Sequence, residues 1–271
     1  MSHGKVSLVG AGPGDPELLT LKGLRALQQA DVIVADRLGA RSVLEGIVAL
    51  GTVIAAEIID VGKRPGNHVV PQDNINELLV TLAVQGKNVV RLKGGDPYVF
   101  GRGSEEIDAC RRAGIEVEVV PGITSAIAAP AVASIPVTHR GLATAFTVIT
   151  GHDQIAQLSG GRDHTVLLLM GVGTLAHSAL TLARGERGSD CPVAVIEDAH
   201  GPRERITIGT LGTIAAQAAE RGIRSPAVVV VGDVVRVSPL APAEWAVSSL
   251  EVSQDFSARL TAEHSLKGIK Q

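Results

Sequence analysis

The chain has 271 residues, which is enough for two modest domains with their own cores. Its formal net charge of −3 argues against a nucleic-acid partner, and no apolar run approaches the ~18 residues of a membrane helix, so no membrane partner is expected either. Aromatic residues make up only 2% of the chain, so a planar ligand must be held mainly by aliphatic groups and backbone.

The two cysteines, Cys110 and Cys191, carry no pairing or metal-binding motif. Since no signal peptide is evident either, they predict a reducing, cytoplasmic location with both thiols as ordinary core or surface groups. His139 and His152 are single histidines without metal-ligand spacing, so neither is interpreted as a ligand and no metal is expected.

The first half of the chain alternates short β-branched runs with helical patterns. This alternation predicts an α/β domain with a mostly parallel sheet covered by helices. Strands are predicted at residues 6–9, 32–35, 88–91 and 116–120, with an unusually long strand at 52–61; helices are predicted at 18–30, 72–84 and 105–113.

Three prolines, Pro121, Pro130 and Pro136, break this rhythm and predict a domain boundary. In the second half the strands around "GPRERITIGTL" are too close for a helical crossover, so hairpins and a mixed sheet are expected. Its strands are predicted at 145–150, 165–170, 193–197, 205–208 and 227–231. The predicted organisation is an N-terminal α/β domain at 1–120, a C-terminal α/β domain at 121–239, and a tail at 240–271 that is disordered or holds at most one short helix.

The segment "VGAGPGDPELLT" follows the first strand and resembles the glycine turn of a dinucleotide-binding protein. However, the third glycine of that fingerprint falls at Asp15, and Pro13 lacks the amide that a phosphate would use. Asp15, Pro16 and Glu17 instead predict a helix N-cap, first residue and acidic first turn. The loop therefore favours a neutral or cationic ligand over a diphosphate.

A second glycine loop, "VVRLKGGDPYVFGRGSEE", repeats the pattern of a strand followed by glycines, an aspartate and a proline. Ligands of open α/β sheets bind beyond the carboxyl ends of the strands, so the two loops can converge on one crevice. Gly94 and Gly95 permit close backbone approach, and Asp96 offers a carboxylate to an ammonium group or to ribose hydroxyls.

Together with "ADRLGA", "VGKRPG", "VVPGITSAIAAPAVASIPVTHRG", "VITGH" and "LLLMGV", these loops resemble, in order and approximate spacing, the tetrapyrrole methylase family over residues 6–237. The resemblance implies two α/β domains with an active site in the cleft between them, and a homodimer. It implies two methyl transfers from S-adenosyl-L-methionine to C2 and C7 of uroporphyrinogen III, giving precorrin-2 and S-adenosyl-L-homocysteine. A small tetrapyrrole is then the substrate, in sirohaem, cobalamin or haem d1 synthesis.

The resemblance also implies a set of cofactor-binding residues: Pro13, Gly94, Gly95, Asp96, Val99, Thr124, Ser125, Met170, Ala199 and Ala227. For Val99, Met170 and Ala227 the alternative is a core position. Ala199 lies in "EDAH", where relatives often have an Asn-Gly-Thr turn, and Ala35 replaces an aromatic residue usual in the family.

Asp36 and Lys63 fall where the family places its proton acceptor and donor, and their alternatives are a turn residue and a solvated charge. A substrate with eight carboxylates requires a local basic rim, for which Arg102 and Arg140 are the candidates, with Lys63 and Arg64 beside them. Glu105, three residues after Arg102, is predicted either to orient that guanidinium and bind substrate or to be a simple first-turn acid.

Three other functions stay open from the residues alone. One is another precorrin methyltransferase, and a second is a nicotinamide oxidoreductase that uses the first glycine loop. The third is a cofactor-binding sensor without catalysis, which Ala35 and "EDAH" suggest. The matched blocks begin at residue 6, so no dehydrogenase or ferrochelatase domain is expected before the methylase.

Overall fold

A computed structural model describes residues 3–36, 39–62, 70–151 and 155–245. The chain divides into two compact units, 1–128 and 129–271. Both are α/β units, as predicted. Lys63, Arg64 and His152, as well as residues 246–271 of the predicted tail, lie outside the described residues.

The first unit contains a five-stranded, fully parallel sheet in the order β3-β2-β4-β1-β5. The strands are β1 (Lys5–Gly10), β2 (Val32–Ala35), β3 (Glu57–Asp60), β4 (Val89–Lys93) and β5 (Glu116–Val120). The helices are α1 (Leu21–Gln28), α2 (Ala40–Ala49), α3 (Gln72–Val84), α4 (Gly103–Arg112) and α5 (Ser125–Val132), the last of which leads into the second unit.

Alternate residues of the buried strands feed two separate cores. Ile33 and Ala35 of β2 pack with residues of α1 and α2 on one face, while Val32 and Val34 pack with residues of α3 and α4 on the other. Both faces are therefore covered, as expected for a parallel sheet, and the carboxyl ends of its strands meet along one edge.

The long strand predicted at 52–61 is wrong, since β3 covers only Glu57–Asp60. β3 lies at the edge of the sheet and pairs with β2, which has four residues, in a register that runs from Val32 opposite Glu57 to Ala35 opposite Asp60. Since β2 begins at Val32, residues 52–56 have no strand partner within the described ranges with which to continue the ladder.

The second unit contains a five-stranded mixed sheet in the order β6-β7-β10-β8-β9. Its strands are β6 (Ala145–Thr150), β7 (His164–Leu169), β8 (Pro192–Glu197), β9 (Arg205–Thr210) and β10 (Ala227–Val231), with helices α6 (Leu175–Arg184) and α7 (Ile214–Glu220). β8 and β9 form the predicted antiparallel hairpin, and β10 runs antiparallel to both neighbours.

Residues 243–245 form one short 3₁₀ turn after the last strand. Trp245 is half-buried there, and Arg236 Nε donates to its carbonyl at 2.9 Å. The chain thus stays ordered for at least six residues past Pro239. No helix in the described parts of the chain has both the length and the apolar character to cross a bilayer.

Candidate active site

Three loops at the carboxyl edge of the first sheet are joined to one another through their backbones. The loop after β1 and the loop after β4 exchange hydrogen bonds between Gly12 and Gly95, N to O at 3.1 and 2.7 Å. Ala11 N also donates to the carbonyl of Lys93 at 2.7 Å. The two glycine loops therefore converge, as the sequence predicts.

Glycine is required where these loops meet. A Cβ placed on Gly10 would lie 2.5 Å from Gly122 N and 2.6 Å from Gly95 O, distances that real Cβ atoms do not show. Gly95 itself has φ +63°, a left-handed conformation that favours glycine. The floor of the site is thus bare backbone, which a ligand can approach closely.

The first loop is not a phosphate site, because its helix start is already occupied by a carboxylate. Asp15 caps the 3₁₀ turn at 16–18 by accepting from Glu17 N at 2.8 Å, and Pro16 is the first residue of that turn. The predicted cap is confirmed. A second anion there would meet a carboxylate instead of free amides.

Asp96 fastens the second loop to the third. Its Oδ1 accepts from Tyr98 N at 2.8 Å within its own loop, and its Oδ2 accepts from Gly122 N at 3.0 Å after β5. The carboxylate predicted to meet the ligand therefore also holds two strand-end loops together. It is half-buried, so part of it still faces the site.

The predicted cofactor residues of the first unit all lie on these three loops. Each is at least partly accessible: Pro13, Gly95, Asp96, Val99, Thr124 and Ser125 are half-buried and Gly94 is exposed. Val99 is therefore not a fully buried core residue. The structure brings these seven together along one sheet edge.

The other three predicted cofactor residues share one edge of the second sheet. Ala227 pairs with Glu197, which ends β8, and Val228 pairs with Leu169, which ends β7. Met170 directly follows the end of β7, and Ala199 lies two residues after the end of β8. Met170 is 52% exposed, which argues against the alternative of a core position, whereas Ala227 is half-buried against the core of this unit.

Left-handed backbone is concentrated at this second edge. Met170, Asp198 and His200 have φ of +54°, +45° and +61° although none is glycine. The turn in "EDAH" is closed by Gly201 N donating to Asp198 O at 2.7 Å. Such conformations are costly and collect at functional sites. The turn adopts them here although the glycine usual in the family is absent from "EDAH".

Arg102 and Glu105 form a forked ion pair at the start of α4. Arg102 Nε and Nη2 donate to the two carboxylate oxygens of Glu105 at 2.8 and 2.6 Å, and both side chains are about half exposed. The hydrogen bond to Glu105 raises the pKa of Arg102, and the bond from Arg102 lowers the pKa of Glu105. Glu105 thus orients the guanidinium, one of its two predicted roles.

The loop that carries Arg102 is tightly curled and presents its side chains outward. Phe100 and Arg102 both have left-handed backbone, φ +53° and +57°, and Tyr98 and Phe100 are 57% and 48% exposed. Neither aromatic residue is among the predicted site residues, although two aromatics in one glycine loop of a chain with few aromatics are a signal in the sequence. Arg140, in the second unit, is exposed on a tight turn, and its side chain has no partner among the described residues.

Asp36 follows β2 and is held by buried charged side chains that are not among the predicted site residues. Its Oδ1 accepts from Arg91 Nη2 at 2.6 Å, and Lys93 Nζ lies 3.8 Å from its Oδ2. Both cations bind Glu106 Oε1 in turn, at 3.1 and 3.0 Å. Asp36 is therefore not an ordinary turn residue, because two buried cations converge on it.

The sequence did contain a signal for this group. Arg91 and Lys93 are two residues apart in β4, so both point to the face that α3 and α4 cover. Buried cations require an acid partner, and Glu106 of α4 supplies it. No cluster of three or more His, Cys, Asp or Glu side chains in the described ranges is arranged to hold a metal ion.

The fold and these loops define a family. Residues 5–215 match the profile described as Tetrapyrrole (Corrin/Porphyrin) Methylases, and the chain belongs to this family. It is 50% identical over 244 residues to the S-adenosyl-L-methionine-dependent uroporphyrinogen III methyltransferase of Methanosarcina barkeri, covering 87% of this chain and 94% of the relative. It is 48% identical over 241 residues to the uroporphyrinogen-III C-methyltransferase of Methanocaldococcus jannaschii, covering 86% and 98%.

A solved structure agrees with these relatives. The uroporphyrin-III C-methyltransferase of Thermus thermophilus, complexed with S-adenosylhomocysteine, superposes with a TM-score of 0.72 at 40% identity, covering 86% of this chain and all of that one. The predicted fold class and family are confirmed.

Proposed function

We propose that the protein is an S-adenosylmethionine-dependent C-methyltransferase that converts uroporphyrinogen III into precorrin-2 by methylating C2 and C7. The observation that carries this is the 50% identity with a relative of that name over 94% of the relative's length. The site supports it, because its loops suit a ligand that carries a cationic sulfonium and no phosphate.

The residues of the first unit fit such a cofactor. The exposed Gly94 and the half-buried Gly95 leave backbone open to a ligand, and the capped helix start offers no anion nest. Bound S-adenosylmethionine supplies a methyl group that is already activated by its sulfonium. Pro13, Gly94, Gly95, Asp96, Val99, Thr124 and Ser125 would hold it in this unit, and Met170, Ala199 and Ala227 are the proposed contacts from the second.

The chain's own contribution is alignment and proton removal. Addition of a methyl group to a pyrrole carbon places positive charge on the tetrapyrrole, which is discharged when a proton leaves. Asp36 is the proposed acceptor, since it is a carboxylate at a strand end with about a third of its side chain open to solvent. Holding the two reactants in line accounts for much of the remaining rate.

Arg102 and Arg140 are the proposed clamps for the substrate carboxylates. Both are exposed arginines, and a guanidinium can bind a carboxylate with two parallel hydrogen bonds. Glu105 holds the Arg102 fork in place. Lys63 is proposed as the proton donor, and we propose a cytoplasmic homodimer on the strength of the family resemblance.

Anaerobic incubation with uroporphyrinogen III and S-adenosylmethionine labelled in its methyl group tests this proposal. The product is expected to carry two labelled methyl groups by mass. Labelling of a later methylated precorrin in a parallel incubation, with no labelling of uroporphyrinogen III, would instead indicate another precorrin methyltransferase. Binding of S-adenosylhomocysteine without a product from any of these tetrapyrroles would indicate a sensor.

A further inference from the structure

Four charged side chains of the first unit form a closed loop of ion pairs, which we call the charge cluster: Asp36, Arg91, Lys93 and Glu106. Arg91 joins Asp36 to Glu106, and Lys93 joins Glu106 back to Asp36. Two cations and two carboxylates leave it neutral overall. Three members are at most 5% exposed, and only Asp36 reaches solvent.

The geometry points to a role for the three buried members in the proposed reaction. We propose that Arg91, Lys93 and Glu106 are positioning residues, which hold the Asp36 carboxylate in one place where it receives the substrate proton. This inference rests on the proposed function, because it assigns Asp36 the part of proton acceptor.

Arg91 is the member that fixes the carboxylate. Its Nη1 donates to the carbonyls of Val34 and Leu92 at 3.3 and 3.1 Å, and its Nε donates to Glu106. The guanidinium is planar, so these bonds set the direction of Nη2, which meets Asp36 at 2.6 Å. The orientation of Asp36 therefore depends on atoms that the substrate never touches.

Glu106 is the counter-ion for both buried cations. Its Oε1 accepts from Arg91, Lys93 and Gln72, the last at 3.2 Å. Its other oxygen, Oε2, is buried without a hydrogen-bond partner in the described ranges. A glutamine can therefore keep the accepting oxygen in place and put its amino group where no donor opposes it, so Glu106→Gln is a mild steric change.

Lys93 supplies the second positive charge at Asp36. Burial of its ammonium lowers the pKa of Lys93, and the neighbouring Arg91 charge lowers it further, against the opposing pull of Glu106 and Asp36. Its Nζ lies 3.0 Å from Glu106 Oε1 and 3.8 Å from Asp36 Oδ2, so it bridges the two carboxylates of the cluster.

The remaining charged groups near Asp36, among the described residues, line a pocket of about 400 Å³ on its other side: Arg41, Glu45 and Asp60. Arg41 is committed to Glu45 at 2.8 Å and lies 3.9 Å from Asp60. Arg41 and Glu45 are exposed and screened by solvent, so they act weakly on Asp36.

The test measures the carbon-13 chemical shift of the Asp36 carboxyl group at about pH 7 in the free protein, with the resonance assigned through Asp36→Asn. Lys93→Met removes a cation beside Asp36, and Glu106→Gln removes the anion that both buried cations share, so each variant is expected to move this resonance. Lys22→Met and Glu118→Gln, which separate a solvent-accessible pair between α1 and β5, serve as matched controls and leave it unchanged.

Activity completes the test. Both single variants are expected to lose about tenfold or more in kcat while KM for the tetrapyrrole and Kd for S-adenosylhomocysteine change less than about threefold, and Lys93→Arg is expected to recover part of the loss. The inference is overturned if neither variant moves the Asp36 resonance, or if kcat is unchanged. A wild-type protein that makes no methylated product refutes the proposed function instead, and the NMR shifts still decide how the cluster acts on Asp36.

Discussion

Asp96 and Gly122, which follow different strands, are joined by a hydrogen bond of 3.0 Å from the Gly122 N–H to Asp96 Oδ2. This bond fastens the loop after β4 to the loop after β5. The bond lies at the carboxyl edge of the sheet. Asp96 therefore sets the spacing of two of the three loops that form the proposed cofactor site.

We expect Asp96→Ala to weaken S-adenosylhomocysteine binding about ten- to a hundredfold, as measured by calorimetry. The variant loses both the loop-to-loop bond and the carboxylate that faces the site. Asp31→Ala is the matched control, because Asp31 accepts from Asn88 N at 2.7 Å and joins two segments at the opposite edge of the same sheet. That control should lose stability and keep its affinity; equal affinity in a folded Asp96→Ala would refute the role of Asp96.

Arg102 is expected to act on the substrate without affecting the cofactor. Arg102→Lys should already reduce kcat/KM, because an ammonium cannot reproduce the forked bond, and Arg102→Ala should reduce it about 30-fold or more. Arg140→Ala should reduce kcat/KM to a similar extent. Kd for S-adenosylhomocysteine and Tm should stay near wild type, since both arginines are exposed.

Glu105→Gln tests whether Glu105 acts by orienting Arg102 or by binding the substrate itself. If Glu105 acts only by holding Arg102, the loss caused by Glu105→Gln should disappear in the Arg102→Ala background, as a double-mutant cycle in kcat/KM would show.

Joint loss of Tm, cofactor affinity and kcat/KM in the Arg102 and Arg140 variants would mark these arginines as structural and exclude their role as a substrate clamp.

The two thiols are expected to be inert in the folded protein. Burial raises the pKa of Cys110 to about 11 and that of Cys191 to about 12, so neither forms thiolate at pH 8. A thiol reagent should titrate no cysteine before denaturation and two after it. Rapid native labelling of one thiol, prevented by Cys110→Ala or Cys191→Ala, would contradict the burial of that residue.

The same shifts predict a loss of stability in alkali. Both thiols have a folded pKa above the unfolded one, so the unfolded chain releases its protons first. The free energy of unfolding should fall as pH rises from about 9 towards 11 or 12. In the double Cys→Ala variant this part of the decline should be absent from denaturant titrations.

Glu197 is expected to stabilise the second unit at neutral pH. It accepts from Arg205 Nε and Nη2, both at 2.7 Å, and from Arg224 N at 2.9 Å, and so ties β8 to β9 and to the loop before β10. Glu197→Gln should cost about 1–3 kcal/mol, because it disrupts a buried, charge-assisted group. Urea titration at pH 7 measures this, with the exposed Glu204→Gln as the control.

At acid pH the free energy of unfolding of Glu197→Gln should become equal to that of the wild type. Burial alone would raise the pKa of Glu197, but the bonds from Arg205 and Arg224 N outweigh it and lower the pKa. Because the pKa of Glu197 is lower in the folded protein than in the unfolded chain, its carboxylate stabilises the fold at a pH above the unfolded pKa of about 4.5. This stabilisation is lost as the pH falls through the folded pKa. A gap in Tm that persists below that range would contradict this assignment.

The strand positions could be predicted because buried β-branched runs are distinctive, and β5, β6 and β10 have the expected bounds. The helices α2, α6 and α7 were not assigned, and no side chain caps any of the three at its N-terminus. The single helix predicted at 18–30 is interrupted, because Thr20 starts α1 by accepting from Gly23 N at 3.0 Å.

Most of the site was within reach of the sequence because its loops are consecutive motifs. The charge cluster was within reach only in part: the spacing of Arg91 and Lys93 in β4 indicates two cations on one face, but the acid partners of Arg91 lie 55 and 15 positions away and depend on which elements are neighbours. The bonds of Asp96 to backbone were missed for a similar reason: spacing can indicate a carboxylate near a ligand but not what else it holds.

The three loops of the first unit are fastened by peptide groups, by close contacts at glycine Cα atoms and by the Asp96 carboxylate, so most of their other side chains take no part in the joint. Those other side chains can be exchanged without moving the backbone of the loops. A scaffold of this kind tolerates substitutions at its rim while the spacing of its three loops is kept.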